Sequence, residues 1–392
     1  MAKIYLDHVS ATPLHPEVRA AMLPYLSEHF GNPSSMHDQG QEARDAVDGA
    51  RAEVARLIGA RPEEIVFTSG GTEANNLAVK GLALAHDAKG KHVLVSAVEH
   101  VSVLNAAHAL ERFGFEVELV PVDKFGLVDP AYVARRLRQD TVLVSIMTAN
   151  NEVGTLQPVA DIARFTREKG ILFHTDAVCS AGNIPVNVQT LGVDALSLAG
   201  NQFYGPSGTG ALWLRQGLKP VPLLDGGFQE SRKRAGTENV PGIVGMGKAA
   251  EIARRDLAAR ISQLLPMRDR LLAGLPGRIA HVFPTGHPVQ RLPGHASFCV
   301  EFVEGEAMLL WLNSKGIAVS TVSSCTSKAL RASHVLLALG LSHSQSQGSL
   351  TFSLGLSNTM SDVDYVLETL PGIVESLRAM SPLYDKFLKG GA

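Results

Sequence analysis

The chain has 392 residues, 45% of them hydrophobic and 19% charged, with a formal net charge of -2. That length exceeds what one hydrophobic core usually holds, so two domains are expected, and the balanced charge offers no basic surface to draw in nucleic acid or an anionic membrane. No run approaches the ~18 apolar residues of a transmembrane helix. The opening MAKIYLDHVSATP has no apolar signal core, and the cysteines Cys179, Cys299 and Cys325 lie far apart and cannot all pair, so a reduced, cytoplasmic protein is expected.

The predicted elements alternate from about residue 36 onward. MHDQGQEARDAVDGARAEVARLIGA carries apolar or small residues at helical spacing (Ala43, Val47, Ala50, Val54, Leu57, Ile58) and stops at Gly59. EIVFTSG is a short apolar strand running into a turn, and TEANNLAVKGLALAH is a helix with Thr72 near its start. KHVLVSA, FEVELVPV, TVLVSIMTA, GILFHTDA and VDALSLAG are further strands, with helices near 101–113, 130–138 and 158–169 between several of them. Strands apolar on both faces, alternating with helices, argue for a mostly parallel sheet covered on both sides. After about residue 240 a long helix (roughly 241–274) leads through PTGHPVQRLPGHA into a strand, ASFCVEF, then a helix, a strand near LTFSLG and a final helix from Ser361. That second style predicts a smaller α+β module, with residues 15–255 as the large domain and 1–14 plus 256–392 as the small one.

Chemistry gathers where these strands end. In FTSGGTEANN two glycines and a threonine open a helix, which aims backbone N–H groups and a hydroxyl at an anion. His100 follows one strand, Asn150 and Asn151 follow another, and Asp176 ends a third. In a parallel α/β sheet such positions converge on one crevice. Singly, each has a plain structural use, the aspartate as a helix cap for instance.

YLDHVSATP, FGNPSSMH, IVFTSGGTEANNLAVKG, EH, NNEVG, HTDA, YGPSGTGALWLR, AGTENVPGIVG and SSCTS occur in that order over nearly the whole chain, which resembles a cysteine desulfurase of the class V aminotransferase group. The resemblance implies the fold-type-I architecture of pyridoxal-phosphate (PLP) enzymes: a large domain with a mainly parallel seven-stranded sheet, and a smaller C-terminal α+β domain. It matches Gly71 and Thr72 to the phosphate cup, His100 to the ring stacked on the cofactor, Asn151 to a residue near the cofactor hydroxyl, and Asp176 to the partner of the pyridinium nitrogen. Thr237 matches a threonine that reaches the neighbouring subunit's phosphate, and Cys325 the cysteine that carries a persulfide. Such enzymes place their active sites at a dimer interface, so a dimer is expected, either of this chain alone or with an active relative whose phosphate cup Thr237 would complete. An iron–sulfur scaffold or a sulfur-acceptor protein is the further partner implied.

Other family positions differ. The family reads Ser-Gly-His-Lys where this chain reads Ala199-Gly200-Asn201-Gln202, so the Schiff-base lysine is Gln202. The glutamine three residues after the aspartate is Cys179, and the strand that carries the substrate arginine begins with Thr351. A carboxamide is not a nucleophilic amine, and a threonine cannot grip a carboxylate bidentately as arginine does. Lys328, the nearest lysine by motif, lies on the loop of Cys325. Several changes together argue for natural divergence rather than one introduced substitution. The expectation is a catalytically degenerate desulfurase homologue in sulfur transfer or iron–sulfur assembly, with no PLP covalently bound and any PLP absent or weakly held. The alternatives are an active desulfurase releasing sulfur through a Cys325 persulfide, and a different enzyme that reuses the crevice for another anion. Without the cofactor ring, Cys179 and Cys325 could also approach one another as a two-thiol relay, unless Cys179 simply fills space as a small buried hydrophobe.

Overall fold

The computed structural model describes residues 3–321 and 332–390. Among these, the strands in chain order are β1 (Ile4–Tyr5), β2 (Ile65–Thr68), β3 (His92–Ser96), β4 (Glu116–Val120), β5 (Thr141–Ser145), β6 (Leu172–Asp176), β7 (Ala195–Ala199), β8 (Gly210–Leu214), β9 (Val282–Pro284), β10 (His295–Val300), β11 (Ile317–Ala318) and β12 (Ser349–Ser353). Seven of them form one sheet in the order β2-β8-β7-β6-β5-β3-β4. β2, β3, β5, β6, β7 and β8 are buried along their whole length, as strands covered on both faces must be.

The sheet is parallel from β7 through β4, while β8 runs antiparallel to both β7 and β2. Composition alone does not pick out GALWL as a strand, yet it decides the geometry. Two successive reversals return β2 to the direction of β7, so the carboxyl end of β2 reaches the same edge as those of β3, β5, β6 and β7. The register shows it: Gly210 stands opposite both Thr68 and Ala199. Glycine is required there, since a Cβ would lie 2.5 Å from the backbone carbon of Gly70.

The predicted helices form close to their expected limits, at Asp38–Leu57, Val101–Leu110, Pro130–Arg136, Val159–Glu168, Gly305–Ser314 and Met360–Ala379. His37, His100 and Asp129 cap three of them with side-chain acceptors. The TEANN helix runs from Gly71 to Ala85 with a π-turn at Leu77–Gly81. A short last helix, Pro382–Leu388, adds to the predicted set.

β9, β10 and β12 form a second, antiparallel sheet, and β1 pairs with β11, so the N-terminal arm joins the C-terminal part of the chain. The helix Val240–Gly274 spans both halves. Its Val240, Ile243, Met246 and Ala253 enter the core around the large sheet, whereas Leu264, Met267 and Leu271 enter the core around β10 and β12.

Candidate functional site

The strand ends converge on a crevice of about 350 Å³ lined by Gly71, Thr72, His100, Asn151, Asp176 and Gln202, together with Asn75, Ser102, Cys179 and Ala199. Six of the residues expected at a site therefore meet in one place. Asn150 does not. Its amide donates to the Val98 carbonyl at 2.8 Å, and its Oδ1 accepts from the N–H groups of Glu152 and Val153. It is a buried turn staple, which corrects the expectation that both asparagines face the crevice.

Asp176 ends β6 at the crevice floor, 5% exposed. Its Oδ1 accepts from the Val178 N–H at 2.9 Å and its Oδ2 from the Asn75 amide at 2.6 Å. Burial pushes the carboxyl above its ordinary range, against the pull of those two bonds and of His100. The second Asn75 proton goes to Ser102 Oγ at 2.9 Å, and that oxygen lies 2.7 Å from His100 Nδ1. Nδ1 also accepts from the Ser102 N–H, so the ring's remaining proton sits on Nε2. One chain of hydrogen bonds thus runs from the floor carboxylate to the imidazole at the rim. Asn75 and Ser102 are the two members that motif reading passed over, although both lie inside its segments, TEANN and EHVSVL.

On the phosphate-cup side, Gly71 opens the helix after β2, packed so closely that a Cβ would sit 2.7 Å from Val178 Cγ2. The hydroxyl expected from a serine is a methyl, Ala199. At the lysine position, Gln202 is 7% exposed and donates its amide to the Val9 carbonyl at 2.8 Å. No lysine lines the crevice among the described residues. Thr351 is buried on β12, its hydroxyl 3.4 Å from the Glu152 carbonyl.

These residues fit PLP in part. A buried carboxylate with no lysine or arginine paired to it among the described residues suits a protonated ring nitrogen, and the glycine-opened helix suits a phosphate. Gln202 does not fit covalent attachment, because its amide nitrogen is neither basic nor nucleophilic.

Thr237 is exposed and does not line the crevice. Its segment is tied to the mouth by Arg234, which pairs with Glu73 at 2.9 Å. Cys325 and Lys328 lie outside the described residues, and so does any approach of Cys325 to Cys179. Burial, and then the nearby Asp176, push the Cys179 thiol well above its ordinary range, so it is held as a thiol.

The family model for class V aminotransferases matches residues 4–366. Among relatives, the chain is 49% identical over 380 residues to a cysteine desulfurase IscS of Dictyoglomus turgidum, covering 97% of this chain and 96% of that one. It is 50% identical over 383 residues to a cysteine desulfurase IscS of Methanosarcina thermophila, covering 98% and 95%. Among solved structures, a NifS-like protein aligns with a TM-score of 0.90 at 36% identity, covering 96% of this chain and all of its own.

Proposed function

Because the chain belongs to the class V aminotransferase family, and within it to the cysteine desulfurases, we propose that it works in desulfurase-type sulfur transfer without attaching PLP to its own crevice. The family is PLP-dependent, and PLP when bound supplies an electron sink for chemistry at the substrate amino acid. The observation that carries this reading is Gln202, buried on the crevice floor and committed to the Val9 carbonyl where the family motif has its lysine. Asp176, Gly71 and Thr72 would then serve as a non-covalent seat for a ring and its phosphate. Cys325 would act as acceptor or donor of sulfur, and the partner would be a second copy, an active relative, a scaffold or a sulfur acceptor.

A second reading has its own support. Relatives near 50% identity over almost the full length are named cysteine desulfurases, and this favours an active enzyme over a degenerate one. Borohydride reduction of the purified protein in the presence of PLP, followed by peptide mass spectrometry, separates the two. No pyridoxyl adduct on any peptide is expected. An adduct on a lysine, Lys328 included, would overturn the proposal and leave the active enzyme standing.

A further inference from the structure

Behind the crevice lies a second, smaller cavity of about 50 Å³ that shares Val9, Cys179 and Gln202 with it. On the far side stands Arg260, from the long helix, only 3% exposed. None of its three guanidinium nitrogens has a hydrogen-bond partner among the described residues. Its charge rests over the Tyr204 ring, 5.2 Å from the centroid. Such a contact offsets part of the cost of burial but satisfies none of the N–H donors. The nearest carboxylate on the same helix, Asp256, is engaged by Arg255 at 2.8 Å. Residues 322–331 contain no Asp or Glu.

A buried guanidinium with free donors calls for an anion, since an unpaired charge out of water is costly. We propose that this cavity is a seat for a small carboxylate, entered from the crevice past Gln202 and Cys179 and gripped by Arg260. The planar fork of arginine matches a carboxylate bidentately. Leu264, Leu292 and Leu354 supply an apolar lining for a short carbon stem. The cavity also runs beside β12: Ser353 lines it, and Thr351 lies two residues away on the same face of that strand.

The test uses the purified full-length protein and acetate as probe, observed by saturation-transfer NMR of the acetate methyl at constant ionic strength in chloride. Saturable acetate binding is expected, weakened about tenfold or more by Arg260→Met, which removes the charge and the fork while keeping the bulk. If Arg260→Met does not fold, Arg260→Lys is read instead: it keeps a charge but not the fork, and weaker binding is again expected. Absence of saturable binding to the wild type, or unchanged binding in the readable variant, would overturn the seat. Sulfate competing as strongly as acetate would overturn its assignment to carboxylates.

Discussion

Gln202 donates its side-chain amide to the carbonyl of Val9, binding the end of the 199–202 turn to the N-terminal arm at the floor of the crevice. The same arm holds the turn a second time, where the Asn201 carbonyl accepts from both the N–H and the hydroxyl of Thr12, each at 2.9 Å. The position where the family motif carries a reactive amine is therefore a fixed structural joint in this chain.

A lysine placed at this joint does not by itself restore a desulfurase. In Gln202→Lys, with PLP and cysteine supplied, sulfide release is expected to stay ~100-fold or more below that of a desulfurase relative assayed alongside. Thr351 still lacks a grip on the substrate carboxylate, and Ala199 still lacks a hydroxyl for the phosphate. Turnover equal to the relative's would show that Thr351, Cys179 and Ala199 are all tolerated.

The buried chain from Asp176 through Asn75 and Ser102 to His100 makes a stability prediction. Asn75→Ala strips a charge-assisted hydrogen bond from a buried carboxylate and is expected to cost about 1–3 kcal/mol in urea unfolding. It should also push the Asp176 carboxyl further up, since the lost bond favoured the charged form. Thr72→Ala, at the exposed mouth, should stay within about 0.5 kcal/mol. Equal costs for the two variants would mean that the network carries no special weight.

Glu99 gives a pH signature. It is fully buried, its Oε1 accepting from the Ser96 hydroxyl at 2.6 Å and the Met147 N–H at 2.7 Å, while Oε2 has no partner among the described residues. Burial pushes its carboxyl from 4.5 up to about 8. The folded chain therefore keeps a proton that the unfolded chain has already released. Stability from this group is complete below the unfolded pKa and is lost as pH rises toward the folded one, at about 1.4 kcal/mol per pH unit between them. Above that window the loss levels off. Glu99→Gln, which keeps an acceptor for Ser96 and Met147 but cannot ionise, should flatten this part of the profile in urea unfolding. An unchanged slope would count against a proton held at Glu99.

Much of this architecture is legible in the residues because the signals are local. HVLVS and TVLVS hold Val and Leu side by side on both faces, LFHTD opens on Leu and Phe, and each run is short enough for a covered strand. GALWL escapes the same reading because it follows a glycine-rich turn and reverses direction, a choice made by its two neighbours rather than by its own side chains. Strand ends mark the crevice, which makes His100, Asn151 and Asp176 legible. Asn75 and Ser102 are not, since each acquires its role only by meeting the other across the fold. Arg260 is the extreme case. It stands in a helical run with Arg254 and Arg255, and those two remain exposed, as an arginine-rich helix face ordinarily does. Only the fold, which brings the Tyr204 ring against its guanidinium, closes the third one in.

The pairing of β1 with β11, Ile4 beside Ile317, sets an order of events for a chain made from its N-terminus. The first strand synthesised has to wait for one of the later segments before it acquires a partner. Long-range closures of this kind are slow because the intervening chain must be ordered first. The large sheet, whose strands end at Leu214, can assemble ahead of that moment, with the arm held beside the crevice by its bonds to Gln202, Asn201 and Tyr204. Anchoring of the arm at its outer end is thereby timed to synthesis of β11, and a product that stops short of Ile317 would hold its Val9 wall by the bonds to the 201–204 turn alone.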